Sequence, residues 1–357
     1  WLKPRPPRAH MSATRYAPVQ EDDMCSAGEA KRMTVIAWVL PAALTSVAFV
    51  YGCWALIAKA ALAGQGVNPL VLATYRCFGG ALVMLWGNQL LGWAGKSGAE
   101  PSTASRGLGA IAAEHRPRVV LLGLLMSCNI GGNLLALERL PALTVSVFQP
   151  LLPIVASVAS ALLGIETLTV FRAVGITLAS GGAVVVVVMG ARHGEGHDIG
   201  RAVDGDYLRG LPCLMLNVCG GGLYVVLQKA VVHLYPPALV ASAAFFVAAV
   251  VLLLGALCTA AFDPLAWRLG DSGGALFALL FSVFLTTAYN YTVLAWATRE
   301  SSPATVTSFQ TLQPVAAALM SWLVLHQGLT PGHAIGGAAI VLGLFFFASA
   351  PVPKLED

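Results

Sequence analysis

The chain has 357 residues, of which 57% are hydrophobic and only 11% charged, and its formal net charge is +4. Apolar runs of about 20 residues recur along it, each long enough to cross a hydrocarbon core of roughly 30 Å, so a soluble globular protein is excluded. The small positive charge is explained by membrane topology rather than by nucleic-acid binding, and the seven cysteines follow no spacing typical of a disulfide framework or a zinc site.

In chain order, a polar, proline-containing tail over residues 1–34 precedes two groups of five apolar helices. The tail is predicted to be disordered. The first group occupies 35–190 and the second 208–350, with a linker loop at 191–207 between them and a short tail at 351–357. The predicted membrane helices are 35–59, 69–93, 118–138, 143–164, 170–190, 208–232, 237–261, 275–298, 304–326 and 332–350. Their length and the lack of two-residue alternation exclude a membrane barrel, so the fold class is an all-α integral membrane protein with ten transmembrane helices.

The second group of helices repeats the first in sequence. The segment from Phe148 to Pro153 matches that from Phe309 to Pro314 at an offset of 161 residues. Gly52 to Lys59 repeats as Gly222 to Lys229 at a slightly different offset. Because each copy has an odd number of helices, the two copies are predicted to cross the membrane in opposite orientations, as in transporters built from inverted repeats.

The distribution of Lys and Arg favours one orientation of these helices. With the N terminus in the cytosol, the cytosolic segments hold fourteen of these residues and the opposite segments hold six. By the positive-inside rule, both termini of this multi-pass protein are expected in the cytosol. The pattern does not distinguish the plasma membrane from an organelle membrane.

Uncharged polar side chains lie within several predicted helices, where they are costly unless they face other helices or a water-filled cavity. We predict that they bind a small solute, since amides supply hydrogen-bond donors and acceptors and tyrosines supply apolar walls. These candidate residues are Asn129, Asn133, Gln149, Tyr289, Asn290, Tyr291, Gln310 and Gln313. The alternative is that they form interhelical hydrogen bonds that only hold the bundle together.

Arg76 lies about seven residues into the second predicted helix, roughly 10 Å along its axis. A permanently charged guanidinium at that depth is predicted to contact an anionic group of the solute, or else to pair with backbone carbonyls. The seventeen acidic residues all fall in tails, loops or helix ends, and no histidine lies in the middle of a predicted helix. Because such groups usually carry protons or bind cations in pumps, their distribution favours a neutral or anionic solute.

Two repeated prolines, Pro153 and Pro314, are predicted to lie well inside the fourth and ninth helices, where the missing amide hydrogen kinks or breaks a helix. A hinge and a static packing kink are both consistent with this position. The repeated lysines, Lys59 and Lys229, end the first and sixth helices, where a cation complements the helix dipole. A closing gate or a contact with the solute is the alternative for the lysines.

The five-plus-five arrangement, Lys59, the Tyr75-Arg76 pair and the proline-bearing fourth helix together resemble the EamA-type drug/metabolite transporter superfamily over about residues 36–350. The pattern from Phe309 to Gly343 is similar to the plant walls-are-thin transporters. The chain departs from the family at the end of the ninth helix, where Leu325-His326-Gln327 stands in place of Gly-Glu, so the resemblance gives Glu166 no paired carboxylate.

The sequence therefore predicts a secondary transporter that moves small organic metabolites by alternating access. A polar-lined channel and a membrane scaffold or receptor without transport are the alternatives. No enzyme, cofactor or metal site is expected, because no helix carries a set of acid, base and nucleophile or a metal-ligand spacing. The expected partners are the lipid bilayer and a small-molecule solute, with no nucleic acid, and a homodimer is left open.

Overall fold

A computed structural model describes residues 21–65, 67–94, 107–140, 145, 148–165, 169–191, 205–260, 263–268, 273–325 and 331–349. Residues 192–204 of the predicted linker and the whole tail at 351–357 lie outside the described residues, and residues 205–207, at the end of the predicted linker, are helical. By backbone contacts the chain divides into a unit that ends at Leu40 and a second unit from Pro41 to Asp357. The features described below, apart from the start of the first helix, belong to the second unit.

All regular elements in the described residues are helical. The α-helices are α1 (Glu21–Gln65), α2 (Pro69–Ala94), α3 (Arg116–Arg139), α4 (Leu151–Leu162), α5 (Val170–Ala191), α6 (Gly205–Val232), α7 (Pro237–Ala260), α8 (Gly273–Phe281), α9 (Asn290–Glu300), α10 (Pro303–Ser308), α11 (Gln313–Leu325) and α12 (Pro331–Ser349). A π-helix, Ser282–Tyr289, joins α8 to α9, and a 3₁₀-helix, Phe309–Leu312, joins α10 to α11. The prediction of an all-helical membrane fold is thus confirmed.

Six helical segments of the described chain are long and apolar enough to cross a membrane: Trp38–Leu62, Pro69–Leu90, Ala113–Arg139, Leu208–Val232, Pro237–Ala260 and Gly273–Glu300. Leu151–Leu162, Val170–Val185 and Ala334–Phe347 are shorter apolar helices. Large side chains such as Trp86, Phe171 and Phe345 are exposed. Exposed apolar side chains on membrane helices are expected to face lipid.

Helix α1 begins at Glu21, inside the segment 1–34 that was predicted to be a disordered tail. The segment between Pro18 and Pro41 contains no proline, and Glu29, Ala30 and Lys31 have high helix propensity. The polar composition that predicted disorder therefore does not prevent a helical backbone over 21–34.

Both repeated prolines lie in the first turn of a helix, rather than well inside one. Helix α4 begins at Leu151 and α11 at Gln313, so Pro153 and Pro314 occupy positions where a missing amide hydrogen costs little. A proline cannot donate to the carbonyl four residues before it, so in each copy the residue just before the proline donates to that carbonyl. Leu152 N donates to Gln149 O at 3.0 Å, and Gln313 N donates to Gln310 O. In the second copy the helical path continues from α10 through the 3₁₀-helix into α11, so the hydrogen-bond register changes at Gln310, one turn before Pro314. In the first copy Gln149 stands just before α4, and most of the residues that precede it lie outside the described residues.

Helices α5 and α12 cross at their glycines with no room for a side chain. A Cβ atom on Gly182 would lie 2.7 Å from Gly336 O, and one on Gly175 would lie 2.8 Å from Gly343 O. Since position numbers rise along α5 as they fall along α12, the two helices are antiparallel. At the offset of 161, Gly336 corresponds to Gly175 and Gly343 to Gly182, so the two contacts exchange equivalent positions, as at a two-fold axis.

The repeated lysines bond equivalent helix ends. Lys59 Nζ donates to Leu137 O at 2.7 Å and to Leu140 O at 3.1 Å, at the end of α3. Lys229 Nζ donates to Thr298 O at 2.8 Å and to Ser301 O, at the end of α9. These acceptors are again 161 positions apart. Each lysine therefore satisfies carbonyls that a helix C terminus leaves without intrahelical partners.

Candidate functional site

A cavity of about 90 Å³ lies among α1, α2, α3, α4, α6, α9 and α11 and contains room for several water molecules. Its wall combines amides, aromatic rings, aliphatic side chains and one cation. The polar and aromatic lining residues are Tyr51, Trp54, Arg76, Asn129, Asn133, Gln149, Asn217, Tyr224, Tyr291, Gln310 and Gln313. Seven of the nine predicted solute contacts are in this list, and Pro314 also borders the cavity.

Arg76 is buried at 3% exposure and is the only charged side chain among the described residues that line the cavity. Its Nε donates to Thr287 Oγ1 at 2.9 Å, and its guanidinium carbon lies 5.0 Å from the centre of the Trp54 ring. In the described part of the chain, no carboxylate forms an ion pair with it. Among the described residues, the charge is therefore held by one hydroxyl and one aromatic face, without a carboxylate counter-ion.

Four side chains of the cavity wall form a continuous hydrogen-bond network. Asn129 Nδ2 donates to Asn217 O, and Asn217 Nδ2 donates to Asn129 O, both at 2.9 Å. Gln149 Nε2 donates to Asn217 Oδ1 at 3.0 Å, and Tyr291 donates its hydroxyl hydrogen to Asn129 Oδ1 at 3.1 Å. The two bonds between Asn129 and Asn217 link α3 to α6. They are interhelical hydrogen bonds of the kind that holds a helix bundle together, which is the alternative to solute binding for these residues.

The second copy keeps one of these bonds in a longer form. Asn290 Nδ2 donates to Val47 O at 3.5 Å, the counterpart of the bond from Asn129 to Asn217 O, and Gln313 Nε2 donates to Gln310 Oε1 at 3.2 Å. Val47 is the counterpart of Asn217, so this side of the repeat lacks the second amide. The cavity is consequently asymmetric: a closed amide network borders one side, and the Gln310–Gln313 pair borders the other.

Aromatic rings enclose the centre of the site. Tyr291 packs edge-to-face against Tyr51, Tyr224 and Phe245, with ring centres 6.2, 6.1 and 4.6 Å apart. Trp54 Nε1 and the Tyr224 hydroxyl are buried and have no hydrogen-bond partner among the described residues. A buried polar atom without a partner costs about 1–3 kcal/mol, so this arrangement would be stabilised by a bound solute or by a rearrangement that supplies acceptors.

Two predicted contacts and one predicted hinge lie outside the cavity wall. Asn290 is fully buried between helices, and Tyr289 is 39% exposed with its hydroxyl 2.6 Å from Ser46 Oγ. Pro153 is buried within α4 and does not border the cavity. The cavity wall thus contains Arg76, Tyr291 and the other predicted amides, but not Asn290, Tyr289 or Pro153.

Sequence reasoning missed Tyr51, Trp54, Asn217 and Tyr224. Aromatic residues in an apolar helix are usually core residues, so the sequence does not mark them as solute contacts. Asn217 has an apolar counterpart in the other repeat, so the comparison of the repeats does not mark it either. The Trp54 and Tyr224 positions are themselves equivalent in the Gly52 and Gly222 repeats, a signal that could have found them. Across the described residues there is no group of three or more His, Cys, Asp or Glu side chains that could hold a metal ion.

The apolar helices and the cavity lined by amides, aromatic rings and Arg76 define a multi-pass membrane protein with two related halves around a candidate binding site. The chain belongs to the EamA-like transporter family, whose model matches residues 37–188 and 208–349. This family is one of membrane transporters rather than enzymes.

Named relatives are plant proteins of the walls-are-thin group. Protein WALLS ARE THIN 1 of Arabidopsis thaliana is 24% identical over 330 residues, which covers 85% of this chain and 81% of that protein. A WAT1-related protein of the same plant is 24% identical over 256 residues, covering 63% of this chain and 68% of that protein. A solved protein crystal structure superposes with a TM-score of 0.66 at 18% identity, over 89% of this chain and 99% of that one, a likeness of fold alone.

Proposed function

We propose that this protein is a secondary transporter that moves small organic metabolites across a membrane by alternating access. The observation that carries the proposal is a cavity lined by amides, aromatic rings and a buried arginine that has no carboxylate counter-ion among the described residues. Buried polar groups inside a membrane bundle are typical of solute pathways. The family of membrane transporters to which the chain belongs supports the same function.

The alternating-access part of the proposal rests on two inverted five-helix repeats. It is supported by the antiparallel crossing of α5 and α12, where Gly175 meets Gly343 and Gly182 meets Gly336. Equivalent helices that run in opposite directions are what an inverted duplication produces. The changes of hydrogen-bond register at Gln149 and Gln310 would let the segments on either side change angle, with Pro153 and Pro314 as hinges.

The proposed solute is neutral or anionic. Arg76 makes the cavity electropositive, and the described lining contains no carboxylate that could balance a cation. The cavity could also belong to a channel. The duplicated change of hydrogen-bond register before each proline favours a carrier, since alternating access needs elements with two arrangements, whereas a channel needs only a continuous polar path.

Solute counterflow in reconstituted vesicles tests the carrier proposal. We expect vesicles preloaded with an unlabelled solute from a metabolite panel to accumulate the labelled solute transiently, because a carrier exchanges one molecule for another. Gln310→Ala should reduce this exchange several-fold without loss of folded protein, since one membrane hydrogen bond contributes only about 0.6–2 kcal/mol. Uptake that follows the gradient alone, with no overshoot, would identify a channel, and the absence of any flux would favour a scaffold or receptor.

The proposed orientation places both termini in the cytosol. Epitope tags at the two termini should be labelled only after the cytosolic face of the membrane is made accessible, because the cytosolic segments carry the larger share of Lys and Arg. A tag in the 94–117 connection should behave in the same way, and a tag in the 261–272 connection should show the opposite accessibility. Labelling of either terminus from the other side would overturn the orientation.

A further inference from the structure

Thr287 determines which nitrogens of Arg76 are left for a solute. Its hydroxyl takes the hydrogen of Nε at 2.9 Å, and both residues are buried, at 0% and 3% exposure. The terminal guanidinium nitrogens donate to no protein atom in the described chain. Thr287 occupies Nε, and Trp54 covers one face of the guanidinium. The edge formed by the two terminal nitrogens therefore has no hydrogen-bond partner among the described residues.

Thr287 reaches Arg76 because it lies in the π-helix Ser282–Tyr289 and because α2 offers no side chain at the point of contact. A Cβ on Gly80 would lie 2.2 Å from Thr287 Cγ2, and a Cβ on Gly79 would lie 2.9 Å from Val283 Cγ2. Single-turn π-helical segments inside longer helices frequently occur at functional sites. The glycine pair therefore allows the π-helix to approach α2 one turn after Arg76.

The terminal edge of a guanidinium matches one chemical group best. Two parallel N–H donors fit the two oxygens of a carboxylate, which accepts both hydrogen bonds in one plane. A monoanion also neutralises the only charge in the described lining, whereas the second charge of a phosphate monoester would stay buried without a partner. Charge and geometry thus favour a carboxylate over a phosphate.

We propose that Thr287 is a positioning residue that orients Arg76 to hold the carboxylate of a monoanionic organic solute. The proposal rests on the transport function proposed above, and it names the charged group that this site recognises. Thr287 itself need not touch the solute. Its effect is to keep Nε occupied, so that the solute meets the two terminal nitrogens rather than the side of the fork.

Equilibrium binding to the purified full-length protein tests this inference separately from transport. The probes are benzoate, its neutral counterpart benzamide, and phenyl phosphate, titrated against wild-type protein and three variants. Thr287→Val removes the hydroxyl but keeps the shape, and Thr287→Ser restores the hydroxyl. Thr286→Val is the matched control, because Thr286 is equally buried in the same π-helix and its Oγ1 donates to Ser282 O instead.

We expect wild-type protein to bind benzoate more tightly than benzamide or phenyl phosphate. Thr287→Val should weaken benzoate binding about tenfold while changing benzamide binding less than about twofold, since a hydrogen bond to a charged group is lost. Thr287→Ser should recover most of the benzoate affinity, and Thr286→Val should retain the wild-type preference. Equal loss for benzoate and benzamide, tighter binding of phenyl phosphate, or no preference in wild-type protein would overturn the inference. If benzoate binding depends on Thr287 but the protein shows no counterflow, the role of Thr287 is supported and the proposed transport function is refuted.

Discussion

Replacing Arg76 by Leu is expected to weaken uptake of a carboxylate solute at least about thirtyfold and to leave the protein folded. Truncating one partner of a buried, hydrogen-bonded charge pair costs about 2–5 kcal/mol of binding free energy, which corresponds to that loss or more. Folding should not suffer in the same way. A buried cation without a protein counter-ion is itself costly, and an apolar side chain of similar reach removes that cost.

The measurement is counterflow of labelled benzoate and benzamide in vesicles, together with thermal unfolding of the purified variants. Arg76→Lys is the matched variant, because it retains the charge but neither the planar fork nor the Nε–H donor to Thr287. Its benzoate uptake should fall between those of wild-type protein and Arg76→Leu. Undiminished benzoate uptake by Arg76→Leu would show that the cation has no contact with the solute, and a large fall in its unfolding temperature would assign Arg76 a structural role.

The second large effect is expected at the crossing of α5 and α12. Gly182→Val should destabilise the protein by about 1–3 kcal/mol or more, because even the Cβ atom would lie 2.7 Å from Gly336 O and 2.8 Å from Ile340 N. Both neighbours are backbone atoms, so the overlap cannot be relieved by rotation of a side chain. The helices would have to separate along their length.

Gly181→Val is the control for this substitution, since a Cβ on Gly181 has no atom within 4 Å and the residue is exposed. Thermal unfolding in detergent and the yield of monodisperse protein should be near wild-type values for Gly181→Val and clearly lower for Gly182→Val. If the two variants unfold at the same temperature, the close crossing of α5 and α12 does not contribute to stability.

The class of fold and much of the cavity could be predicted from the sequence, because polar groups in apolar helices are rare and costly. Arg76, Gln149 and Gln310 stood out for that reason. The bonding of these groups could not be predicted. That Asn129 satisfies a backbone carbonyl of α6 depends on how closely two helices approach, and sequence periodicity carries no information on that distance.

The π-helix Ser282–Tyr289 shows a second limit of the sequence. It contains neither glycine nor proline, and its apolar pattern reads as an ordinary membrane helix. The change of hydrogen-bond register follows from tertiary contacts, including the packing of Val283 and Thr287 against Gly79 and Gly80. The sequence predicts that Pro153 and Pro314 kink or break their helices from well inside them. The structure instead places a change of hydrogen-bond register one turn earlier, because a proline in the first turn of a helix has no amide hydrogen to lose from an intrahelical bond.

The exchanged glycine contacts between α5 and α12 bear on how such a chain can diverge. In an assembly of two identical five-helix chains, one glycine pair would serve both crossings, and any substitution would alter both contacts at once. Joined in a single chain, the four positions Gly175, Gly182, Gly336 and Gly343 can mutate independently. Covalent linkage therefore halves the structural damage of a single mutation at this crossing, which gives the two halves freedom to specialise, as the one-sided amide network and Arg76 already illustrate.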